Sequence, residues 1–207
     1  MLMAVAMTLL FFGFAASKAD LIPSRLQSAA EIGYGFVADM VRSTAGEEGL
    51  KFFPFVFTLF FFIFFANMIG MVPYAFTTTS HIVVTAALAM LVMLIVVGYG
   101  IYKNGFTFFK LFAPAGAPWY IYILLIPIEI ISFLARPLTL SLRLFANMLA
   151  GHIMLKLFGG LTMILAPLAF AMGVALNALE LLVAGLQAYV FAILTTVYLN
   201  DALHPVH

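Results

Sequence analysis

The chain has 207 residues, of which 66% are hydrophobic and only 8% are charged. Its mean hydropathy of +1.20 lies far outside the range of soluble proteins, so the sequence predicts an integral membrane protein. Nine lysines and arginines nearly balance eight acidic residues, so we expect no nucleic-acid partner. There is no cysteine, and the four histidines are too scattered for a metal cluster, so we expect neither a metal nor another cofactor.

Residues 1–17 are predicted to form the first membrane span. They lack the basic start and the cleavage site of a secretory signal peptide. The apolar run ends at Ala16 and barely reaches the ~17 to 25 residues that cross a bilayer. A missing or processed segment ahead of it is therefore one expectation.

Residues 24–45 are predicted to form an amphipathic helix on the membrane surface. Ser24 and Gln27 have the spacing of a capping box at its start, and Gly46 marks its end. Helical spacing separates an apolar face from a charged one. The apolar face holds Leu26, Ala30, Val37, Met40 and Val41, and the charged face holds Arg25, Glu31, Asp39 and Arg42. A soluble linker helix would show the same pattern, and that alternative stays open.

Residues 52–103 are predicted to form a transmembrane hairpin. Its first span follows Lys51 and contains Asn67 as the only strongly polar side chain. Its second span covers 82–102 and is closed by Lys103, Asn104 and Gly105. The turn at 73–80 carries no charge, whereas basic residues lie at the other end of the hairpin. They are Lys18, Arg25, Arg42, Lys51, Lys103 and Lys110. By the positive-inside rule this basic end faces the cytoplasm or the mitochondrial matrix.

Residues 119–200 are predicted to form a long, steeply tilted helical hairpin with a break at Gly159 and Gly160. A continuous helix over 119–158 would be roughly 60 Å long, about twice the ~30 Å thickness of the hydrocarbon core. A continuous helix over residues 163–200 would likewise be much longer than the hydrocarbon core is thick. Each stretch could instead be two short spans with almost no loop between them. We favour the tilted pair, because turn-forming combinations of Gly, Asn and Asp are absent from both stretches.

Three ionisable residues follow a spacing of seven in the first of these helices, namely Glu129, Arg136 and Arg143. A charge at mid-bilayer costs about 2.5 to 3.5 kcal/mol on insertion scales, so it normally faces protein or water. Glu129 and Arg136 could snorkel toward the basic side. Arg143 has no carboxylate within one helical turn. Either backbone carbonyls in the bundle satisfy it, or it is a fixed positive charge that meets an anionic site on a partner.

His152 and Glu180 are candidates for a proton-exchanging pair. His152 lies nine residues after Arg143, on the opposite face of the helix. Glu180 lies on the next helix and is expected to share one broad face with Asn177 and Gln187. His152 lies fewer residues from the glycine break than Glu180 does, so the two would lie at different heights in an antiparallel hairpin. Tilt of the helices could still bring them together. A structural polar contact is the alternative.

Small side chains line both long helices. They are Ala146, Ala150 and Gly151 on the first helix, and Ala171, Gly173, Ala175, Ala178, Ala184, Gly185 and Ala188 on the second. In lipid, small residues indicate close helix packing. That packing lies either within the chain or against a moving partner, and the sequence leaves both interpretations open.

Several motifs resemble the subunit a family of F-type ATP synthases. They are SLRLFANMLAGH, ELLVAGLQAYVF, FFPFVFTLF, ANMIGMVPY, TTTSHI, IEIISFLARP and YLNDALHP, and the similarity covers nearly the whole chain. The resemblance implies an all-α membrane fold with an N-terminal span, a surface helix, a hairpin of spans and a long tilted hairpin along a ring of c subunits. This agrees with the helices expected from the residues alone.

The resemblance also implies roles for individual residues. Arg143 matches the family's essential arginine, and Asn147 matches its nearby polar partner. His152 and Glu180 occupy the positions of an exchanging acid and base, in the arrangement of mitochondrial and alphaproteobacterial members. Gln187 matches a polar residue that faces the arginine from the last helix.

The function implied by the resemblance is proton translocation through two offset aqueous half-channels. The outer half-channel is expected to contain Asn67, His81 and Asn177. Protons would reach a carboxyl group of the c-ring past His152 and Glu180, travel with the ring and leave on the inner side. Arg143 would attract the deprotonated carboxylate and bar a direct leak. No covalent chemistry would belong to this chain.

The partners implied are the c-ring, peripheral-stalk chains of the subunit b type and membrane lipid. The membrane would be a bacterial plasma membrane or a mitochondrial inner membrane. A secondary transporter would also place charges at the midplane, but it should show repeat symmetry or paired broken helices, which the sequence lacks. A structural subunit of another respiratory complex would not need the isolated Arg143.

Overall fold

The computed structural model describes residues 2–17, 25–71, 81–105, 119–161 and 166–203, without the side chains of 14–17, 26, 119–120, 152 and 166–170. Six α-helices make up nearly all of this part of the chain. They are α1 (Leu2–Ser17), α2 (Arg25–Gly49), α3 (Phe53–Gly70), α4 (Ile82–Asn104), α5 (Trp119–Leu161) and α6 (Ala166–Leu203), with one 3₁₀ turn at Leu50–Phe52. No strand occurs among the described residues, so the prediction of an all-α protein is confirmed.

Four helical stretches of the described residues are long and apolar enough to cross a membrane. They are Gln27–Gly70, Ile82–Asn104, Ile121–Leu161 and Ala171–Leu203. The apolar part of α1, Leu2–Gly13, is shorter than these. The expectation of a membrane protein is therefore confirmed by length and composition, whereas the crossing of the membrane by α1 stays a prediction.

Helix α2 separates its residues as the amphipathic pattern predicts. Ala30, Val37, Met40 and Val41 are buried, and all four charged-face residues are exposed. Gly46, with φ of +64°, interrupts the regular helix close to the predicted end. Ser24 and the side chain of Leu26 lie outside the described residues. The position of α2 on the membrane surface stays a prediction.

Helix α2 crosses the first half of α3. A Cβ atom at Gly33 would lie 2.7 Å from the ring of Phe61, so only a glycine lets the two helices approach this closely. One residue further on, the ring of Tyr34 packs edge-on against that of Phe53, with 4.6 Å between the ring centroids. Pro54 lies in the first turn of α3, where its missing N–H group is not needed.

The two spans of the predicted hairpin pack mainly against other helices, α3 against α6 and α4 against α5. Helix α3 packs against α1, α2 and α6, while α4 packs against α5 and α6. Helix α4 begins after His81 and ends at Gly105, whose φ of +51° stops the helix where the sequence predicts. The turn at 73–80 lies outside the described residues. Helix α6 therefore lies between α3 and α4.

Polar contacts bring the ends of several helices together at one end of the bundle, which we call the inner end. Lys103 of α4 forms an ion pair with Glu48 of α2. The side-chain amide of Asn104 donates to the carbonyl oxygen of Ala202 in α6 at 2.7 Å. The inner end is thus the end that the sequence predicts to carry Lys51 and Lys103.

Helices α5 and α6 are each one continuous helix, so the alternative of two short spans per stretch is wrong. Helix α5 contains Pro127 and Pro137 in its interior and has 43 residues, which corresponds to about 64 Å. Helix α6 has 38 residues, with Pro167 at its second position. The tilt of this pair relative to the bilayer stays a prediction.

The predicted break at Gly159 and Gly160 is also wrong, because α5 continues through both glycines to Leu161. Among the described residues, α5 ends at Leu161 and α6 begins at Ala166. A glycine costs a helix only about 1 kcal/mol relative to alanine, whereas unpaired backbone groups in lipid cost several kcal/mol each. A pair of glycines is therefore too weak a signal to end a helix in a membrane protein.

The buried core lies where α2, α3, α4, α5 and α6 meet. Its largest fully buried side chains include Val37, Val56, Ile63, Val92, Val96, Leu140, Leu144 and Phe191. Leu140 and Leu144 of α5 are both buried and lie one helical turn apart, so one face of α5 is directed toward the core. The opposite face of α5 is left exposed.

Candidate functional site

Helices α5 and α6 pack as an antiparallel pair, and three contacts fix their register. Nearest the inner end, Arg136 pairs with Asp201 at 2.8 Å. Further along, the side-chain amide of Asn147 donates to Oε1 of Gln187 at 2.8 Å. Furthest from the inner end, Gly151 lies against the side chain of Glu180. Three of the five residues predicted from the sequence thus lie along one seam between these helices.

Arg143 lies on the exposed face of α5. Its helical neighbours Leu140 and Leu144 are buried and point the other way. Among the described residues, no carboxylate or carbonyl pairs with the Arg143 guanidinium within hydrogen-bond or ion-pair distance. The interpretation that backbone carbonyls of this bundle satisfy Arg143 therefore has no support in this part of the chain.

Arg143 belongs to an exposed stripe along α5, which we define as Thr139, Arg143, Ala146, Asn147 and Ala150. Apart from the adjacent pair Ala146 and Asn147, these residues follow one another at intervals of three and four and so share one face. Large apolar residues of α6 are exposed beside the stripe. They are Leu179, Leu182 and Leu186. The stripe is thus a smooth, narrow surface with one full charge, set in an apolar surround.

The small residues divide into a buried group and an exposed group, so packing within the chain accounts for only some of them. Ala184 and Ala188 are fully buried and let other helices approach α6. Ala146 and Ala150 are exposed on the stripe. The first group serves packing within the chain, and the second leaves a smooth outer face.

The hydrogen bond from Asn147 to Gln187 connects the exposed stripe to the interior. Asn147 is exposed, while Gln187 is only 3% exposed. The Nε2 group of Gln187 is buried and has no hydrogen-bond partner among the described residues. Gln187 was expected to face Arg143, but its recorded bond goes to Asn147, one turn further along α5.

Glu180 is buried, at 5% exposure, against the backbone of α5 at Gly151. A Cβ atom at Gly151 would lie 2.7 Å from Oε1 of Glu180 and 3.0 Å from its Cδ. Only a glycine gives the carboxyl group this space. Sequence reasoning missed Gly151 as part of the site, although its position beside His152 and among small residues was the available signal.

The prediction that His152 and Glu180 lie at different heights along the hairpin is wrong for their backbone positions. Glu180 lies against the residue directly before His152, whose own side chain lies outside the description. The offset was counted from Gly159 and Gly160, whereas the true break after Leu161 shifts the register of the hairpin. Asn177 is exposed, so it does not share the buried face of Glu180 and Gln187.

Asn67 is fully buried in α3, and its side-chain amide donates to the carbonyl oxygen of Ala184 at 3.2 Å. That bond attaches α3 to α6 one turn beyond Glu180. The Oδ1 atom of Asn67 is buried and has no hydrogen-bond partner among the described residues. His81, in contrast, is exposed at the start of α4. Of the three residues expected in an outer half-channel, only Asn67 lies inside the bundle.

Comparison with known proteins gives the family. The family model described as ATP synthase A chain matches residues 1–200. The chain belongs to this family. It is 74% identical to ATP synthase subunit a of Hyphomonas neptunium over 99% of this chain and 85% of that protein.

Two further members of the ATP synthase A chain family are similar over almost all of this chain. ATP synthase subunit a of Maricaulis maris is 58% identical over 100% of this chain and 87% of that protein. The subunit a of Azorhizobium caulinodans is 58% identical over 98% of this chain and 85% of that protein. The family resemblance read from the motifs is therefore confirmed, including its alphaproteobacterial type.

In this member of the ATP synthase A chain family, sequence reasoning also missed the partner of Arg136. Its guanidinium was expected to snorkel, but it pairs with Asp201, 65 residues away in the chain. Glu129, the other residue in that expectation, is half-buried. No group of three His, Asp or Glu side chains that could hold a metal ion occurs in the described part of the chain.

Proposed function

We propose that the chain is the proton-translocating stator subunit in the membrane sector of an ATP synthase. It carries protons to and from a rotating ring of c subunits and does no covalent chemistry itself. Family membership supports the assignment to this complex, and similar proteins bear the name ATP synthase subunit a. The energy-transducing membrane of a bacterium or a mitochondrion is where such a complex works.

The observation that carries the proposal is that Arg143 is exposed and forms no ion pair with any described residue, while large apolar side chains of α6 are also exposed. A guanidinium stays charged at any working pH and is costly in lipid, so it needs an anion or water. A carboxylate of the c-ring supplies that anion from another chain. The small side chains of Ala146 and Ala150 leave room for a ring helix to slide past.

The strength of the attraction between Arg143 and the ring carboxylate explains why rotation of the c-ring is coupled to proton transfer. An arginine and a carboxylate about 4 Å apart attract each other by about 4 kcal/mol at an effective dielectric constant of 20. A potential of 100 mV supplies only about 2.3 kcal/mol per charge. The carboxylate therefore leaves Arg143 readily only after a proton has neutralised it.

Glu180 is positioned to deliver that proton from the outer side, together with His152. Gly151, against which Glu180 lies, is eight residues beyond Arg143 and away from the inner end, which corresponds to about 12 Å along the helix. This offset separates the delivery of protons from the site at Arg143. Asn67 lies next to the same part of α6. Peripheral-stalk chains of the subunit b type hold the stator against the torque.

Substitution of Arg143 tests the proposal. The intact complex carrying Arg143→Ala, reconstituted into liposomes, should lose ATP synthesis driven by an imposed proton gradient, because the ring carboxylate then has no fixed partner. Arg42→Ala is the matched control, since Arg42 is an exposed arginine with only a surface ion pair to Glu47. Near-normal synthesis by fully assembled Arg143→Ala complex would overturn the assignment.

A further inference from the structure

The ion pair between Arg136 and Asp201 is the only ion pair that joins α5 to α6 in the described part of the chain. The Nη1 atom of Arg136 donates to Oδ2 of Asp201 at 2.8 Å. The two side chains are only 21% and 27% exposed. The guanidinium also lies over the ring of Tyr198, 5.1 Å from its centroid, and near that of Phe133 at 5.6 Å.

These contacts direct a cation away from the exposed stripe. Arg136 precedes Arg143 by seven residues, which places it about 10 Å away and within ~20° on the helix. Arg143 nevertheless points outward with no ion-pair partner among the described residues, while Arg136 turns to α6.

We propose that Asp201 neutralises Arg136 so that an anion arriving at the exposed stripe meets one positive charge instead of two. The inference rests on the proposed function, in which that anion is the c-ring carboxylate. Asp201 is then a positioning residue, because it acts through Arg136 and does not touch the ring. The pair sets how strongly, and over what length of α5, the ring carboxylate is held.

Loss of Asp201 would release Arg136 toward the stripe. A partly buried arginine without its carboxylate keeps its charge and turns to water or to the next available anion. Its long side chain spans much of the distance to the path of the ring carboxylate. At about 10 Å and an effective dielectric constant of 20, a second cation holds that carboxylate about tenfold more tightly. Ring rotation past Arg143 would slow accordingly.

The test compares Asp201→Asn with the double variant Arg136→Gln/Asp201→Asn in the intact complex. Asp201→Asn keeps the shape of the side chain and removes its charge, and Arg136→Gln removes the cation while keeping a polar side chain. The rate measured is ATP synthesis at a fixed, saturating proton gradient, divided by the amount of assembled complex. Glu48→Gln is the matched control, because it breaks another cross-helix ion pair at the inner end that lies away from the stripe.

We expect Asp201→Asn to lower the rate about tenfold, and we expect the double variant to regain most of it, since the second cation is gone. Glu48→Gln should stay near the starting rate. If the ion pair served only to hold the helices together, the double variant would be as slow as Asp201→Asn or slower, and that result would overturn the inference. A normal rate for Asp201→Asn would overturn it as well.

Arg143→Ala, measured in the same series, separates this inference from the function on which it rests. Normal synthesis by Arg143→Ala would remove the proposed function. Loss of synthesis in Arg143→Ala together with an unchanged rate in Asp201→Asn would leave the function standing and remove only the role of Asp201.

Discussion

Replacement of Gly151 by alanine is expected to displace Glu180 and slow proton delivery. The added Cβ would lie 2.7 Å from Oε1 of Glu180, whereas ordinary contacts begin at 3.4 Å. The carboxyl group must therefore retreat by the difference, about 0.7 Å. The three atoms nearest to a Cβ at Gly151 all belong to the Glu180 side chain, so we expect that side chain to move before the backbone of α6 does.

The size of the effect follows from this displacement. A misplacement of about 1 Å at a reacting group can cost ~10²-fold. We therefore expect proton pumping to fall about tenfold or more in Gly151→Ala, with little loss of assembled complex.

The assay is ATP-driven acidification of inverted membrane vesicles, followed by quenching of a pH-sensitive dye and divided by the amount of complex. Gly159→Ala is the matched control, because it lies in the same helix and its added Cβ would meet nothing within 4 Å. Shortening the acid by one methylene, with Glu180→Asp in the Gly151→Ala background, should restore part of the rate. Equal rates in Gly151→Ala and Gly159→Ala would refute the role given to the glycine.

Two further predictions concern stability, measured as thermal dissociation of the detergent-solubilised complex. Asn67→Leu removes the donor to the Ala184 carbonyl and should destabilise by about 1 kcal/mol or more, whereas Thr58→Val, which loses a bond within one exposed turn, should do less. Gly105→Ala places a side chain at φ of +51° and should cost about 1 kcal/mol. An unchanged midpoint of thermal dissociation in Asn67→Leu, or a larger decrease in Thr58→Val, would contradict the first prediction. An unchanged midpoint in Gly105→Ala would contradict the second.

Local signals in the sequence predicted most helix boundaries. Gly46 and Gly105 were expected to end helices, and both adopt the positive φ that favours glycine. Pro54 and Pro167 lie at helix starts, where proline is tolerated. These signals act within a few residues of the chain, so one sequence suffices to find them.

The partners across the α5 and α6 seam could not be predicted in the same way. They depend on register, and register depends on where the connection between the helices lies. An error of a few residues at Gly159 and Gly160 was enough to misplace Glu180 relative to α5. Arg143 and Glu180 were singled out because a charge in lipid is costly wherever it lies. Gly151 and Asp201 became visible only once the helices were paired.

The buried face of α6 between Glu180 and the inner end carries no ionisable side chain. Between Glu180 and Asp201, about 31 Å along α6, none of the buried side chains of that helix ionises. They are Ala184, Gln187, Ala188, Phe191, Ala192, Thr195, Thr196 and Leu199. Both threonine hydroxyls donate to carbonyl oxygens of their own helix, at 2.8 and 2.9 Å. Toward the inner end, a proton on Glu180 thus meets no ionisable group among the fully buried side chains of α6.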